Sequence, residues 1–315
     1  MQGSQLDVLY GCLDCVTKQN DVTLVSVAKT WGTSPRPVGS LLAISSDGRF
    51  FGSVSGGCVE EDLIERLSNK PVSQATTLIY GENQSERDRF RLPCGGTLTL
   101  VAEPFNQRRH IEQLINAIEQ RKTQIRTTNL TTQDTTLQSW HGQHPKLVTT
   151  NNQLIWQNVL GPMWRLIIVG AGETGQYLAQ FAQGIGFDIV VSDPRPEYRS
   201  NWPLSNIELE NGFPDDVIDS LNVDSRTAIV TIAHDPKVDD MALLSALKSP
   251  AFYVGALGSK QNNQARRQRL MEHFDFTQSE VDKLHGPVGL DIGSKQPSEI
   301  ALSIMAHIVA VKNGK

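Results

Sequence analysis

The sequence predicts an α/β protein in which a mixed α+β domain is followed by a doubly wound parallel sheet. The chain has 315 residues, which is long for a single hydrophobic core and favours two domains. Helix and strand patterns are mixed in the first part, whereas residues 164–193 follow the order strand, glycine-rich turn, helix, strand. Strands that alternate with helices are typical of a parallel sheet. We therefore expect an N-terminal domain at 1–122, a connector at 123–160 and a C-terminal domain at 161–315.

Composition argues against several classes of protein. Hydrophobic residues make up 39% of the chain and charged residues 20%, an ordinary soluble mixture. The net charge of −5, without a strong basic run, disfavours nucleic acid as a partner. No segment has the apolar length of a membrane span, and the first 20 residues lack a signal-peptide pattern. Four scattered cysteines do not form a disulfide framework, so we expect a cytoplasmic protein.

The N-terminal domain is predicted to open with an amphipathic helix over 4–19, because Leu6 and Leu9 begin an apolar series at helical spacing. Cys12 and Cys15 lie inside this helix. With no second cysteine pair and no histidine nearby, we interpret them as core residues rather than zinc ligands.

Strand patterns follow the helix. Runs of apolar residues predict strands at 22–27, 41–44 and 50–54, with a turn at Asp47-Gly48 between the last two. The remaining predicted elements of this domain are a helix at 59–67, strands at 75–80 and 97–102, and a helix at 106–121. The stretch 123–160 is polar and rich in threonine and glutamine, which suggests a connector with a few short strands. The alternative is a variable part of the first domain.

Two of the cysteines stand beside paired glycines in mirror-image order: Gly56-Gly57-Cys58 and Cys94-Gly95-Gly96. Glycines next to a thiol remove side-chain bulk and let the backbone approach a ligand closely. We therefore interpret these two cysteines as functional thiols. The alternative is that they pack as small apolar residues, as free cysteines often do.

The C-terminal domain opens with a short apolar run at 164–169, typical of a strand that is buried on both faces. A dinucleotide-type loop follows at once, Gly170-Ala171-Gly172-Glu173-Thr174-Gly175. A helix at 177–183, a strand at 188–191 and Asp193 complete a unit of about 30 residues, as the βαβ fingerprint requires. This pattern predicts a Rossmann-type domain.

In such a domain the three glycines are expected to lie close to a phosphate at a helix N-terminus, and Asp193 to bind ribose hydroxyls. The alternative for Asp193 is a turn residue before Pro194. Glu173 would repel a phosphate at this place, and Arg195 can offset that charge or accept the phosphate itself.

Polar clusters also follow the strands predicted at 228–232 and 252–254. Ser259 begins a helix that carries Arg266, Arg267 and Arg269, so a second anion site is one interpretation. A solvated basic helix face is the other. The last predicted helix, at 300–311, follows Pro297, a residue favoured in a first helical turn.

With these motifs in place, the chain resembles the XdhC/CoxI family of xanthine dehydrogenase accessory (maturation) factors. The matching segments occur in both halves and in order: Gly52–Glu60, Leu92–Gly96, Gly170–Gly172, Asp193–Pro196, Tyr253–Ser259, His285–Gly293 and Pro297–Ser303. The chain departs from the family pattern at Glu173, where a histidine is common, and near His307, where a glutamate is common.

The resemblance implies an N-terminal CoxI-like domain and a C-terminal Rossmann domain. It also implies binding of the molybdenum cofactor, as molybdopterin or in a dinucleotide form, and exchange of the terminal oxo ligand for sulfide. The implied partners are an apo molybdenum hydroxylase of the xanthine dehydrogenase type and a cysteine desulfurase, and we expect a homodimer. Such a chain is an accessory or chaperone factor rather than a turnover enzyme.

The thiol motifs fit this role, because a thiolate is a suitable soft ligand for molybdenum. Cys94 follows Arg87, Arg89 and Arg91, whose charges favour the thiolate. Cys58 precedes a run of three carboxylates that oppose it, although a helix N-terminus helps. We therefore expect Cys94 to be the metal ligand and Cys58 to be secondary.

Arg36, in a proline-flanked loop, is expected to hold a phosphate of the pterin; the alternative is a surface arginine. Two other functions are open: an NAD(P)-dependent oxidoreductase and a nucleotide-binding regulatory protein. Against the first, the glycine loop is followed neither by a Tyr-x-x-x-Lys pair nor by a clear proton-transfer group.

Overall fold

The computed structural model of the chain describes residues 4–31, 36–90, 96–207 and 209–315. It divides into two compact units, Met1–Pro162 and Met163–Lys315. None of the helices in these ranges combines the length and the apolar character that a membrane span needs.

The first unit contains a five-stranded antiparallel sheet in the order β3-β2-β1-β5-β4. Its strands are β1 (Val22–Thr30), β2 (Leu41–Ser45), β3 (Phe50–Gly52), β4 (Thr76–Tyr80) and β5 (Leu98–Pro104). The helices of this unit are α1 (Gln5–Thr17), α2 (Cys58–Asn69), α3 (Gln84–Arg89) and α4 (Arg108–Glu119). They cover the predicted helices and add the short α3.

Helix α1 begins at a capping box, in which the Ser4 hydroxyl accepts from the Asp7 backbone and the Asp7 carboxylate accepts from the Ser4 backbone. Its apolar face is buried, and Cys12 and Cys15 lie within the core with no exposed surface. Burial raises the pKa of the Cys12 thiol. The structure therefore confirms the interpretation of these two cysteines as core residues.

The segment predicted as a connector, 123–160, folds in the structure into a four-stranded antiparallel sheet within the first unit. Its strands, in the order β7-β6-β9-β8, are β6 (Gln124–Asn129), β7 (Thr135–Ser139), β8 (Lys146–Thr150) and β9 (Gln153–Leu160). Trp156 packs with Ala28 and Val101 in a shared core. Apart from the buried Thr128, the threonines and glutamines of these strands are partly or fully exposed, which explains the connector-like composition.

A buried ion pair links β5 to β6. Arg126 Nη1 lies 2.5 Å from Glu103 Oε2, and the two side chains are 6% and 3% exposed. The Thr128 hydroxyl donates to the same Glu103 oxygen at 2.9 Å, and Arg126 Nε donates to His110 Nε2 at 3.0 Å. The buried charges of Glu103 and Arg126 are thus paired and hydrogen-bonded.

We predict that His110 makes the fold sensitive to acid. Burial, together with the charge of Arg126, lowers the pKa of His110 to about 4. An unfolded histidine titrates near 6.5, so between these values only the unfolded chain takes up the proton. Stability should therefore fall as the pH drops from 6.5 to 4, by roughly 1–2 kcal/mol because solvent screens this partly exposed ring. Denaturant unfolding across this range should show a clearly shallower decline for His110→Gln, and equal slopes for the two proteins would contradict the prediction.

The second unit contains a six-stranded parallel sheet in the order β12-β11-β10-β13-β14-β15. Its strands are β10 (Arg165–Val169), β11 (Asp188–Ser192), β12 (Leu209–Glu210), β13 (Thr227–Thr231), β14 (Tyr253–Ala256) and β15 (Leu284–His285). The helices are α5 (Glu173–Gly184), α6 (Pro196–Ser200), α7 (Pro214–Ser220), α8 (Pro236–Ala246), α9 (Lys260–Phe274), α10 (Gln278–Val281) and α11 (Pro297–Lys312).

Separate apolar clusters cover the two faces of this sheet, as its uninterrupted apolar strands require. The strand order reverses between β10 and β13, which is the switch point of a Rossmann fold. The predicted fold class is therefore confirmed.

Candidate functional site

The loops with most of the predicted N-terminal site residues leave one edge of the five-stranded sheet. Thr30, at the end of β1, pairs with Leu98 at the start of β5. Leu42, near the start of β2, pairs with Gly52 at the end of β3. The loops after β1, after β3 and before β5 therefore lie on the same side, which we call the loop edge.

The loop before α2 presents Cys58 at the start of a helix. Gly56 has a φ of +79°, a left-handed conformation that favours glycine. A Cβ atom added at Gly56 or Gly57 would meet nothing within 4 Å, so the backbone here is open to a ligand. Cys58 is the first residue of α2 and is partly exposed, with one side against the apolar cluster under the helix.

Glu60 closes the same loop from the helix side. Its Oε1 accepts from the Ser53 hydroxyl at 2.5 Å and from the Val54 and Ser55 backbone at 2.8 and 3.1 Å. Burial raises the pKa of this carboxyl, but the hydrogen bonds from Ser53 and the loop backbone outweigh burial and leave it lowered. In the sequence, Glu60 is one of three carboxylates that oppose a thiolate at Cys58. Its position three residues after the N-cap Gly57 is the signal of a capping role.

Arg36 joins this arrangement through Ser53. Arg36 Nε donates to Ser53 Oγ at 3.1 Å, and Ser53 donates in turn to Glu60. The structure thus connects Arg36 to the loop that carries Gly56, Gly57 and Cys58.

Cys94, Gly95 and Arg91 lie outside the described residues. The described chain resumes at Gly96, where a Cβ atom would lie 2.3 Å from the Trp31 carbonyl oxygen. The Trp31 backbone N–H donates to the Thr97 carbonyl at 3.0 Å. Gly96 is therefore a position of close backbone approach at the loop edge.

The two described arginines before Cys94 have protein partners. Arg87 Nε donates to the Gly81 carbonyl at 2.9 Å. Arg89 lies 3.4 Å from an Asp62 oxygen and over the Phe90 ring. Asp62 also accepts from Tyr80 Oη at 2.7 Å and pairs with Arg66 at 3.2 Å, so its charge is compensated by protein partners.

In the second unit, two of the three loop glycines are required by close packing. Gly170 has a φ of +122°, and a Cβ atom there would lie 2.6 Å from the Ala233 nitrogen. A Cβ atom at Gly175 would lie 2.2 Å from the Gly170 carbonyl oxygen. Gly172, the N-cap of α5, would bring its Cβ atom only to ordinary contact with the Tyr198 ring, at 3.7 Å. Gly172 is therefore the glycine that a ligand can approach.

Asp193 and Arg195 hold the glycine loop in place through hydrogen bonds. Asp193 is fully buried, and its Oδ2 accepts from the Ala171 backbone at 2.8 Å. Arg195 donates to both Asp193 oxygens at 2.9 and 2.8 Å and to the Ala233 carbonyl at 3.0 Å. Burial raises the pKa of Asp193, but the bonds from Arg195 and the backbone reverse this and lower it. Both groups thus have intramolecular partners, and their contacts with ribose or phosphate stay predictions.

The structure places Ser259 at the N-cap of α9, where its hydroxyl accepts from the Asn262 backbone at 3.1 Å. The arginines of α9 turn towards protein partners. Arg266 and Arg269 bind Asp240 of α8 at 2.7 and 2.5 Å, and Arg267 donates to backbone carbonyls. The three arginines thus have intramolecular partners, and a second anion site at Ser259 stays a prediction.

Three rings that the sequence separates meet in the second unit. Tyr253 Oη lies 3.0 Å from His307 Nδ1, and the Tyr253 and His285 rings stack with centroids 4.4 Å apart. Burial lowers the pKa of both histidines. No group of three or more histidine, cysteine or acidic side chains in the described ranges could hold a metal ion.

Comparisons with known proteins agree with this architecture. Residues 15–78 match the family model of the XdhC and CoxI family, and residues 166–308 match the model of the XdhC Rossmann domain. A probable xanthine dehydrogenase subunit of Bacillus subtilis (strain 168) is 27% identical over 93% of this chain and 94% of its own length. The molybdenum cofactor insertion chaperone PaoD of Escherichia coli (strain K12) is 27% identical over 97% of this chain and 88% of its own.

A crystal structure described as a xanthine dehydrogenase from Bacillus halodurans has the same fold. Its TM-score is 0.73 at 25% identity, over 98% of this chain and 96% of that one. The two family matches lie in different structural units and together span well over half of the sequence. The chain belongs to the XdhC and CoxI family.

Proposed function

We propose that this chain is a maturation factor that holds the molybdenum cofactor at the loop edge and delivers it to an apo molybdenum hydroxylase. The observation that carries the proposal is the meeting of Arg36 with the open glycine loop that presents Cys58, on the same edge from which the chain before β5 departs. The family membership and the name of the PaoD relative support it.

The chemistry of the loop edge suits such a cargo. Molybdenum in a dithiolene takes soft ligands, and a thiolate is the softest ligand that a side chain offers. Cys58 is the first residue of α2, where the helix dipole attracts negatively charged groups of a ligand. The Glu60 carboxylate beside it is engaged by three donors, which reduces its repulsion of a second anion. We assign Cys94 as the metal ligand, Cys58 as a second thiol and Arg36 as a contact to the cofactor phosphate.

The finer parts of the proposal concern partners. We assign the client to the xanthine dehydrogenase type, a cysteine desulfurase as the sulfur source for exchange of the oxo ligand, and a homodimer as the working assembly. Xanthine dehydrogenase in the name of the Bacillus subtilis relative supports the client class.

A transfer assay tests the function. The cofactor-loaded chain is mixed anaerobically with an apo xanthine dehydrogenase, and the activity gained is compared with that from the same amount of free cofactor. We expect faster and more complete activation from the loaded chain. Cyanide-releasable sulfur on the loaded chain, formed only when desulfurase and cysteine are present, reports sulfuration. Activation no better than with free cofactor would contradict delivery.

Gly172 offers a second, separable test, of nucleotide or phosphate binding by the Rossmann unit. We predict that Gly172→Val leaves the fold intact, since only the Tyr198 ring lies within 4 Å, and abolishes nucleotide binding by blocking the N-terminus of α5. Calorimetry with NAD, NADP, ADP and CTP measures it. Gly175→Val is the contrasting variant and should disrupt folding, because its Cβ atom would overlap the Gly170 carbonyl. If wild type binds none of the four ligands, the unit is a scaffold only.

A further inference from the structure

Trp31 is a part of the loop edge that the proposed function leaves unused. Its side chain is 77% exposed, although tryptophan has the largest apolar surface to bury. Its backbone is nevertheless fixed, since its N–H donates to the Thr97 carbonyl at 3.0 Å and its own carbonyl lies against Gly96. The indole ring of Trp31 is therefore exposed to solvent, while its backbone is held by contacts with Thr97 and Gly96.

A groove of about 570 Å³ lies beside this ring, within the first unit. Its lining includes Val38, Thr97 and Leu147, so the apolar surface comes from the loop after β1, the approach to β5 and strand β8. The volume falls in the range of small-molecule sites.

Lys29 and Lys146 line the same groove, and both are exposed. Among the residues that the structure describes, neither ammonium forms an ion pair with a carboxylate. Two cations beside an open indole suit a ligand that has a flat aromatic ring and an anionic group, because the ring stacks on the indole and the anion meets the positive charge.

We propose that this groove binds the pterin end of the cofactor, with the pterin ring stacked on Trp31. The cofactor phosphate then lies among Lys29, Lys146 and Arg36, whose loop also supplies Val38 to the groove. The inference rests on the proposed function and names the binding surface that such a cargo would use. Gly96, which lies against the Trp31 carbonyl, follows the assigned thiol Cys94 by two positions in the sequence.

The test uses metal-free molybdopterin, released and handled anaerobically, as the probe for the full-length chain. Because the probe carries no molybdenum, a thiolate–metal bond cannot contribute to its binding. We expect Trp31→Ala to weaken binding ~10-fold or more, and Trp31→Phe, which keeps an aromatic face, to change it less than ~3-fold.

A second pair of variants tests the contribution of Lys29 and Lys146. Lys29→Gln with Lys146→Gln should weaken probe binding ~10-fold and flatten its salt dependence, because two charge contacts are lost. The matched control is Lys18→Gln with Lys70→Gln, which removes the same charge from the C-terminal ends of α1 and α2 and should leave binding unchanged. Circular dichroism confirms folding of each variant.

The possible outcomes distinguish failure of the groove from failure of the proposed function. If wild type binds the probe and Trp31→Ala binds it equally well, the stacking site is wrong while the proposed function stands. If wild type does not bind the metal-free probe but retains molybdenum when purified, the groove is excluded and the thiol site remains. If wild type retains neither molybdenum nor pterin, the proposed function fails and the inference fails with it.

Discussion

Replacing Cys94 with alanine should weaken cofactor binding at least ~100-fold, because loss of a direct ligand exceeds the ~10–100-fold effect of losing a group that only orients one. Cys58→Ala should weaken binding less, since its thiol is assigned a secondary role. The measurement is an anaerobic titration of each full-length variant with intact molybdenum cofactor.

Cys58→Ser is the matched control for size and polarity in this series, since it keeps a small polar side chain at the start of α2. It should behave as Cys58→Ala does if sulfur is what matters. Equal affinity of Cys94→Ala and wild type would show that the metal is held elsewhere.

Replacing Arg126 with methionine should destabilise the first unit by about 3–5 kcal/mol. The substitution leaves the Glu103 carboxylate buried without its charge partner, and it also removes the donor to His110. Combining it with Glu103→Gln should recover most of the loss, since the buried charge is then gone. Hydrogen exchange of the β5 and β6 amides measures this stability locally, which matters in a chain of two units.

The exposed pair Arg108–Glu112 provides the control, because its side chains are 61% and 40% exposed. Arg108→Met should change stability by less than about 1 kcal/mol. A loss for Arg126→Met no larger than that for Arg108→Met would mean that the buried pair adds nothing to the fold.

Local patterns predicted the Rossmann unit well. The apolar run before Gly170 predicts the strand, and the spacing of the glycines predicts the turn. The structure shows that a side chain at Gly170 or Gly175 would clash with neighbouring backbone. The burial of Cys12 and Cys15 agrees with their place inside the predicted amphipathic helix and with the lack of a second cysteine pair or a histidine nearby in the sequence. Such features are set by residues close in the sequence, so the local pattern of apolar residues and glycines is enough to predict them.

Features that depend on distant partners were not predictable. The segment 123–160 was predicted as a connector with a few short strands and not as a four-stranded sheet. Threonine and glutamine fill most of the exposed positions of its strands, and only pairing with other strands shows that these residues belong to one sheet. The sequence shows the charge of Glu60 but not the three donors that engage it. Likewise, Arg266 and Asp240 lie 26 positions apart, so their ion pair becomes visible only when α8 and α9 pack together.

The measurement that tests the central claim most directly is the molybdenum and pterin content of the full-length chain after anaerobic, reducing purification. Wild type is compared with the double variant Cys58→Ala/Cys94→Ala, both produced in cells that make the cofactor. The claim predicts that molybdenum and pterin co-elute with wild type and are lost from the folded double variant. Equal retention by the two proteins would contradict the thiolate site, and absence of both molybdenum and pterin from wild type would contradict cofactor binding itself.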